Sequence, residues 1–279
     1  MAELNVLSYN VCGVGYSKRR LRRIARYLHA AAEKYNVDVI VLNEILWGPE
    51  YDLFNLAMGD EWAPVNDPFF RKKIPLIRCG GSGVMVLVNT RKGLQLGEIE
   101  HHTFEHAASI DRLASKGFTR VPIVTKEGIE INLFATHLQA EYVYTLFGTT
   151  RFKLPREHWT IQAQLKQMVA RGKQVQNSVY VGDMNTDDFQ SVGLHSALRH
   201  NNPDKHNNRK TVCGTFVGNA KESEQDLDHV LTHTVQSNRI RVLHNSELRR
   251  LSDHLPITMR LHFPQSEGVV TPEAAARQD

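Results

Sequence analysis

The segment VYVGDMNTDD, at positions 179–188, ends a short apolar run with two oxygen-bearing side chains. Its first four residues, Val179 to Gly182, are typical of a buried β-strand. Asp183 and Asn185 follow two residues apart, a spacing that directs both side chains to the same side of an extended chain. A carboxylate and an amide are oxygen ligands of the kind that Mg²⁺ takes, so the segment indicates a polar site at a strand end.

Polar side chains lie at or near one end of several other strand-like segments. Asn10, Glu44 and His137 close their segments, Asp228 and His229 interrupt the segment 226–233, and Asp253 and His254 stand just before the segment 255–263. Because strand ends that share one edge of a β-sandwich converge on one cleft, we expect these groups to meet. There a metal ion would neutralise developing charge, a carboxylate or an imidazole would activate water, and other donors would hold phosphate oxygens. The set therefore predicts phosphoryl hydrolysis.

Each of these residues taken alone has an ordinary structural explanation. A strand-end Asn or Asp is usually a turn former, which is the simplest interpretation of Asn10 by itself. His137 alone fits a hydrogen-bonded structural histidine, and Asp253-His254 alone fits a loop. Only the joint order of the residues favours a catalytic site over these alternatives.

The elements that must carry these groups are strands interrupted by occasional helices. Mixed β-branched and apolar runs predict strands over 4–11, 37–44, 82–89, 120–125, 129–137, 178–183, 226–233, 240–245 and 255–263. Apolar residues at helical spacing predict helices over 17–35 and 156–172. This order predicts an α+β sandwich of packed sheets with helices outside rather than a strict βαβ alternation. We expect one catalytic domain over 1–263 and a mobile tail over 264–279.

The composition is that of an ordinary globular chain with a mild positive charge. Apolar residues make up 41% of the 279 residues, and the net charge of +4 permits anionic partners without demanding one. The three cysteines are widely spaced and suggest neither a disulfide framework nor a zinc site. No signal peptide or membrane span is recognisable, so the location stays open between the cytoplasm and a processed secreted chain. The arginines of the basic run 17–26 are expected on a solvated helix face.

Six short motifs together resemble the endonuclease/exonuclease/phosphatase superfamily, in the family's order and over nearly the whole chain. They are Ser8-Tyr9-Asn10, Glu44, Thr136-His137-Leu138, Gly182-Asp183-Met184-Asn185, Asp226-Leu227-Asp228-His229 and Ser252-Asp253-His254. Members of this superfamily include pancreatic-type DNase, abasic-site endonucleases, inositol polyphosphate phosphatases and neutral sphingomyelinases. The resemblance implies a DNase-like four-layer α/β/β/α sandwich, dependence on Mg²⁺ (with Mn²⁺ or Co²⁺ as substitutes) and cleavage of phosphodiesters or phosphomonoesters.

The resemblance also implies roles for the oxygen-bearing residues. Glu44 matches the principal metal ligand, with Asn10 beside it. Asp183 and Asn185 match the pair that positions the attacking water and a phosphate oxygen.

The histidines receive roles from the same resemblance. His254 matches the general base or acid, oriented by a carboxylate, and His137 matches a group that stabilises charge on the phosphoryl group. Asp228 matches a supporting carboxylate, and Asp253 is adjacent to the second histidine. Spacing leaves open which carboxylate orients which histidine.

Two further segments are similar to the neutral sphingomyelinase branch. THLQAEY at 136–142 extends the histidine motif in the manner of that branch, and Arg156, Gln162 and Gln164 follow on a helix-like segment. DRLASKGF at 111–118 places Asp111 and Lys116 where that branch has a pair linked to switching or substrate positioning. The resemblance therefore implies hydrolysis of sphingomyelin to ceramide and phosphocholine. A solvated loop with an incidental ion pair is the alternative for Asp111 and Lys116.

A lipid substrate would require contact with a phospholipid membrane surface. EYVYTLFGTTRF at 141–152 is rich in aromatic residues, and DPFFRKKIP at 67–75 combines two phenylalanines with three basic residues. Both compositions suit the boundary between water and bilayer, although ordinary packing under a loop explains them equally well. No obligate protein partner is implied.

Three other functions stay open from the sequence. A nuclease of the DNase or abasic-site endonuclease type would use the same cleft on nucleic acid, with basic residues around it. A phosphoinositide phosphatase would need several cations near the phosphates. A binding module built on a decayed catalytic fold is disfavoured because Glu44, His137, Asp183, Asn185, Asp253 and His254 are all present.

Overall fold

The computed structural model describes residues 2–13, 17–66, 81–141, 144–146, 150–152, 154–197, 211, 227–233, 237–244, 247 and 250–264. Its helices are α1 (Lys18–Lys34), α2 (Gly48–Met58) and α3 (Pro155–Gly172). Its strands are β1 (Ala2–Asn10), β2 (Val39–Asn43), β3 (Trp62–Pro64), β4 (Met85–Asn89), β5 (Gln95–Leu96), β6 (Glu100–Thr103), β7 (Gly117–Val124), β8 (Glu130–His137), β9 (Tyr144–Leu146), β10 (Thr150–Phe152), β11 (Ser178–Asp183), β12 (His195–Ser196), β13 (Asp228–Thr232), β14 (Ser237–Val242) and β15 (Ile257–Phe263).

The strands form two mixed sheets and a small ribbon. The first sheet has the order β14-β15-β1-β2-β4-β3, in which β1 and β2 are parallel. The second has the order β12-β13-β11-β8-β7-β5, with β6 also paired to β7 and with β8 and β11 parallel. The ribbon joins β9 to β10. Each sheet therefore has a parallel pair near its centre, whose carboxyl ends lie at one edge.

Three apolar clusters separate four layers. One lies between the two sheets and contains Val6, Val41 and Val181. A second lies between the first sheet and the helices α1 and α2, and a third packs α3 against the second sheet around Phe134 and Tyr180. Burial of each such side chain stabilises the fold by about 1.5–3 kcal/mol. The predicted α/β/β/α sandwich is confirmed.

The strand period places polar side chains between the two sheets. In β1, Leu4 and Val6 face the inter-sheet core while Leu7 and Tyr9 face the helices, so Asn10 falls in phase with Val6. The same alternation in four other strands carries a polar residue into the inter-sheet space at one edge: Asn43 in β2, His137 in β8, Asp183 in β11 and Asp228 in β13.

Both predicted helices are present within one or two residues of the expected bounds, but other parts of the prediction were wrong. The sequence did not reveal α2, whose first turn contains Pro49 and whose Glu50 caps its own amino end. The short strands β3, β5, β6, β9, β10 and β12 were also missed, because segments this short carry no clear period. Arg20 was expected on the solvated face of α1 and is buried instead, with 8% of its surface exposed.

Two predicted features lie outside the described residues. They are the 67–75 segment and the tail from 265 onward. Of the 141–152 segment, the structure gives the backbone of β9 and β10 and places Glu141. No helix within the described ranges has the length and apolar character needed to span a bilayer.

Candidate active site

Asn10 connects Glu44, the predicted metal ligand after β2 of the first sheet, to Asp183 at the end of β11 in the second sheet. Its Nδ2 donates to Glu44 Oε1 and to Asp183 Oδ2, at 2.9 Å in each case. The Asn10 Oδ1 accepts from the Cys12 amide at 2.9 Å, and Glu44 Oε2 accepts from the Gly13 amide at 3.0 Å. Residues far apart in the chain therefore meet at one edge of the sandwich, as the sequence predicted.

The structure settles which carboxylate pairs with the second histidine. Asp228 Oδ2 lies 2.7 Å from His254 Nδ1, and both side chains are buried. This contact directs the other ring nitrogen, Nε2, toward Asp183, whose Oδ2 is 3.7 Å away. Ser252 holds the turn, because its hydroxyl accepts from the His254 amide at 3.1 Å and donates to the Asn10 carbonyl at 2.8 Å.

The first histidine faces the same carboxylate from its own sheet. His137 closes β8, next to Asp183 at the end of β11, and its Nε2 lies 3.8 Å from Asp183 Oδ2. The two imidazoles thus flank one carboxylate, which places three titratable groups in a small volume.

Burial and neighbouring charges give these groups different protonation behaviour. Burial raises the pKa of Asp183 to about 7, with His254 opposing that rise and Asp228 adding to it. Burial also tends to lower the pKa of His254, but the negative charges of Asp228, Asp183 and Asp253 outweigh it and raise the pKa well above the ordinary range. His137 behaves in the opposite way, because burial and then the positive charges of Lys116 and His254 lower its pKa well below that range. A charged donor and a neutral imidazole therefore face one carboxylate at neutral pH.

Three positions at the site have unusual backbone angles. Glu44 and Asn185 adopt left-handed conformations, with φ of 64° and 50°. Gly182 has φ of 139°, and a Cβ there would lie 1.9 Å from the Thr136 carbonyl oxygen, so only glycine fits. Left-handed backbone costs a non-glycine residue on the order of 1 kcal/mol or more and persists where the surroundings impose it. Such strain is common where side chains are held for chemistry.

Asn185 links Asp183 to the segment that follows His137. Its amide nitrogen donates to Asp183 Oδ1 at 3.0 Å, and its Nδ2 donates to the Leu138 carbonyl at 3.1 Å. The carboxylate of Asp183 is therefore held through both of its oxygens.

Asp111 and Lys116 form a buried ion pair rather than part of a solvated loop. The Lys116 Nζ lies 3.0 Å from Asp111 Oδ2, and each residue is less than a tenth exposed. Lys116 also donates to the Leu138 carbonyl at 2.6 Å, and Asp111 accepts from the Ala140 amide at 3.1 Å. The pair fixes the backbone that follows His137, so it belongs to the wall of the site.

Asp253 sits at the partly exposed border of this cluster. Its Oδ1 is 3.5 Å from the Ser252 hydroxyl, and its charge contributes to the raised pKa values of His254 and Cys12. The buried thiol of Cys12 has its pKa raised to about 12, chiefly by burial, so it is no nucleophile at neutral pH.

Asn43 is a positioning residue that the sequence reasoning missed. Its Nδ2 donates to the Thr136 carbonyl at 2.8 Å and its Oδ1 accepts from the Asp183 amide at 3.2 Å, so it bridges the two sheets directly behind the site. An amide in phase with Val39 and Val41, on the core face of β2, was the signal that could have identified it.

The donor set suits a divalent cation. Oxygen and nitrogen atoms of Asp183, Asp228 and His254 lie within 4.8 Å of one another. The second Asp228 oxygen, Oδ1, has no hydrogen-bond partner among the described residues although it is buried. Glu44 adds a further carboxylate from the side of the first sheet, whereas Asn10 presents its Nδ2 to the carboxylates and its Oδ1 to the Cys12 amide. Such an oxygen-rich set fits a hard divalent metal, and a buried carboxylate oxygen without a donor is one that a cation would satisfy.

Comparison with known proteins assigns the family. The family model described as Endonuclease/Exonuclease/phosphatase family matches residues 7–254. The chain belongs to this family. Its members are hydrolytic, divalent-metal-dependent phosphodiesterases, in agreement with the metal-dependent cleavage of phosphodiesters or phosphomonoesters that the motif order predicted. No curated protein sequence matches the chain significantly.

Solved structures with the same fold include proteins of different specificity. SmcL is 18% identical with a TM-score of 0.67, over 94% of this chain and 99% of that one. Sphingomyelinase C from Streptomyces griseocarneus is 18% identical with a TM-score of 0.62, over 94% and 100%. D. rerio TDP2 complexed with a single-strand DNA product is 15% identical with a TM-score of 0.64, over 94% and 100%. At these identities the likeness establishes the fold alone.

Proposed function

We propose that the protein is a Mg²⁺-dependent phosphodiesterase that hydrolyses sphingomyelin to ceramide and phosphocholine. The observation that carries the lipid assignment is the buried Asp111–Lys116 pair, which holds the backbone at Leu138 and Ala140 directly after His137. The Lys116 ammonium group lies close enough to His137 to lower the pKa of that imidazole. A positive charge is therefore present beside the place where a phosphodiester would bind. The similarity in fold to Sphingomyelinase C from Streptomyces griseocarneus supports the same assignment.

The reaction forms a bond from water oxygen to phosphorus and breaks the bond from phosphorus to the ceramide oxygen. The water loses one proton, and the leaving oxygen gains one. Asp183 and Asn185 orient the water. His254, held by Asp228 and protonated at neutral pH, gives its proton to the leaving ceramide oxygen and is reprotonated by the proton that the water releases. His137 donates a hydrogen bond to a phosphoryl oxygen.

Glu44 would hold the metal ion in this proposal, beside Asp183. Asn10, which was predicted as a second ligand, donates through its Nδ2 to both carboxylates and would orient them. When bound, Mg²⁺ supplies charge neutralisation for the phosphoryl oxygens. Mn²⁺ and Co²⁺ would replace it, because they accept the same oxygen ligands.

A phospholipid membrane surface is the proposed partner. Leu154 lies just before α3 and Trp159 lies in its second turn. The side chain of Trp159 is 56% exposed. The amino-terminal end of α3 also contacts the first residue of the aromatic-rich segment 141–152, since His158 Nδ1 lies 2.9 Å from Glu141 Oε1. An exposed tryptophan beside such a segment suits the water–bilayer boundary.

A nuclease is the second candidate, favoured by a different observation. The first turns of α1 expose Lys18, Arg19 and Arg22, and Arg20 on the same turns contacts the Val11 carbonyl next to the site. Exposed cations beside a phosphodiester site suit a nucleic-acid backbone. D. rerio TDP2, whose structure contains a DNA product, shares the fold.

One comparison separates the two candidates. The purified protein is incubated with sphingomyelin vesicles, phosphatidylcholine vesicles, plasmid DNA and a single-stranded oligonucleotide, each with Mg²⁺, Mn²⁺, Co²⁺ or EDTA. We expect metal-dependent release of phosphocholine from sphingomyelin alone. DNA cleavage without phosphocholine release would overturn the lipid assignment and establish the nuclease. A His254→Ala preparation run in parallel identifies activity from contaminants.

A further inference from the structure

Arg20 is a buried arginine that contacts two segments of the active-site edge. Its Nη1 donates to the carbonyls of Val11 and Leu251, each at 2.8 Å, and its Nη2 donates to the Cys12 carbonyl at 2.7 Å. Val11 and Cys12 form the exit of β1 directly after Asn10. Leu251 directly precedes the Ser252-Asp253-His254 turn. One guanidinium therefore ties the Asn10 side of the site to the His254 side.

Glu50 holds the backbone that follows β2, as Arg20 holds the backbone that follows β1. Its Oε2 accepts from the amides of Leu46 and Trp47, at 2.9 and 3.2 Å, in the turn that follows Glu44. The side chain is fully buried. Its pKa is raised to about 7, first by burial, while the two amide hydrogen bonds and the charge of Arg20 oppose that rise. Arg20 and Glu50 are therefore close enough to interact electrostatically behind the two strand exits.

Glu50 also caps the amino end of α2, whereas the local structure of α1 does not require Arg20. The remaining buried face of α1 is apolar, with Leu21, Ile24 and Leu28 in the core. A buried guanidinium is costly unless its donors are satisfied, and its planar fork matches several acceptors that an ammonium group cannot reach together. Arg20 contacts three backbone carbonyls. Two of them lie within two residues of Asn10, and the third lies three residues before His254.

We propose that Arg20 and Glu50 are positioning residues of the metal site. Arg20 fixes the backbone that carries Asn10 and His254, and Glu50 fixes the turn that follows Glu44. Neither side chain touches metal or substrate; each acts through the backbone of a residue that does. This inference rests on the proposed metal site at Glu44 but not on the identity of the substrate.

Metal affinity is the readout that tests this proposal without relying on turnover. Binding of Mn²⁺ is measured by calorimetry and by loss of the free-ion paramagnetic signal, on preparations whose folding is verified by near-ultraviolet circular dichroism. We expect Arg20→Met to weaken Mn²⁺ binding by about tenfold or more, as loss of an outer support of a metal site does. Arg20→Lys, which keeps the charge but not the fork, should fall between Arg20→Met and the wild type and carries the test if Arg20→Met does not fold.

Glu50 offers a matched pair of substitutions. Glu50→Gln retains an oxygen that accepts from the Leu46 and Trp47 amides, so Mn²⁺ affinity should stay within about threefold of wild type. Glu50→Ala removes the acceptor and should weaken binding by about tenfold. Arg26→Met, on the exposed face of α1, is the control and should leave binding unchanged.

Kinetics on bis(p-nitrophenyl) phosphate, a phosphodiester without a lipid, give a second readout. A lower kcat with little change in KM is expected for Arg20→Met, since the groups that act on the bound phosphate are displaced. Lower thermal stability with unchanged Mn²⁺ affinity and kcat in both Arg20 variants would overturn the inference and leave Arg20 a purely structural residue. If Glu44→Gln binds Mn²⁺ as tightly as the wild type does, the proposed metal site itself is wrong.

Discussion

Asp183→Asn tests whether burial of the central carboxylate has the energetic consequence that its surroundings dictate. The substitution keeps the shape of the side chain and removes its charge. Asp183 is 2% exposed, and burial raises its pKa from the ordinary 3.8 to about 7. Because the folded pKa lies above the unfolded one, the ionised carboxylate destabilises the fold. That cost is absent below pH 3.8, grows up to pH 7 and is constant above it.

The size of the effect follows from the difference between the two pKa values. A difference of about 3 corresponds to a cost of about 4 kcal/mol in the metal-free protein. This is an upper limit, because removing the charge also withdraws support from the His254 imidazolium, whose Nε2 is 3.7 Å away. The new amide also places a donor against either Asn10 or the Asn185 amide, a penalty of about 1–3 kcal/mol that does not vary with pH.

The part of the stability difference that varies with pH therefore reports the charge of the Asp183 carboxylate alone. Urea unfolding in EDTA at pH 5 and pH 8 gives the free energies of unfolding of both proteins. We expect the stability of Asp183→Asn relative to wild type to rise by about 2–3 kcal/mol between pH 5 and pH 8, while turnover is lost. Asp188→Asn, an exposed carboxylate in the same loop, should show no such change. Equal differences for Asp183→Asn at the two pH values would refute the reasoning.

Four further substitutions test individual contacts. Asp228→Asn removes the main charge that raises the pKa of His254, so the limb of the pH–rate profile that reports this histidine should move to lower pH and kcat should fall about 10²–10⁴-fold; an unmoved limb would show that another group titrates. His254→Ala should abolish turnover without unfolding the protein, and a substantial residual rate would exclude His254 as the proton-transfer group. Glu44→Gln should raise the metal concentration needed for half-maximal activity at least tenfold, and an unchanged metal titration would exclude it as a ligand. Lys116→Met should lower kcat/KM and raise the pKa of His137, measured by NMR titration, because a neighbouring positive charge is lost; an unaltered pKa would mean that Lys116 does not act on that imidazole.

The sequence by itself determined the family and, within the strands, which polar side chains share a face with which apolar ones. Strand alternation puts Asn10 in phase with Val6, and Asp183 in phase with Val181, so both must project between the sheets. The order of the motifs identified the edge at which they meet. These features are local or periodic, and local steric rules are sufficient to fix them.

Only the tertiary structure decided which of these residues touch. Asp228 rather than Asp253 holds His254, because β13 pairs with β11 in a register that sets Asp228 opposite Asp183. The buried state of Arg20 was equally hidden, since its acceptors are backbone carbonyls up to 231 positions away, and backbone carbonyls carry no sequence signal. Pairing across space depends on sheet register and on the packing of one layer against another, and a pattern along the chain specifies a face but not the partner that meets it.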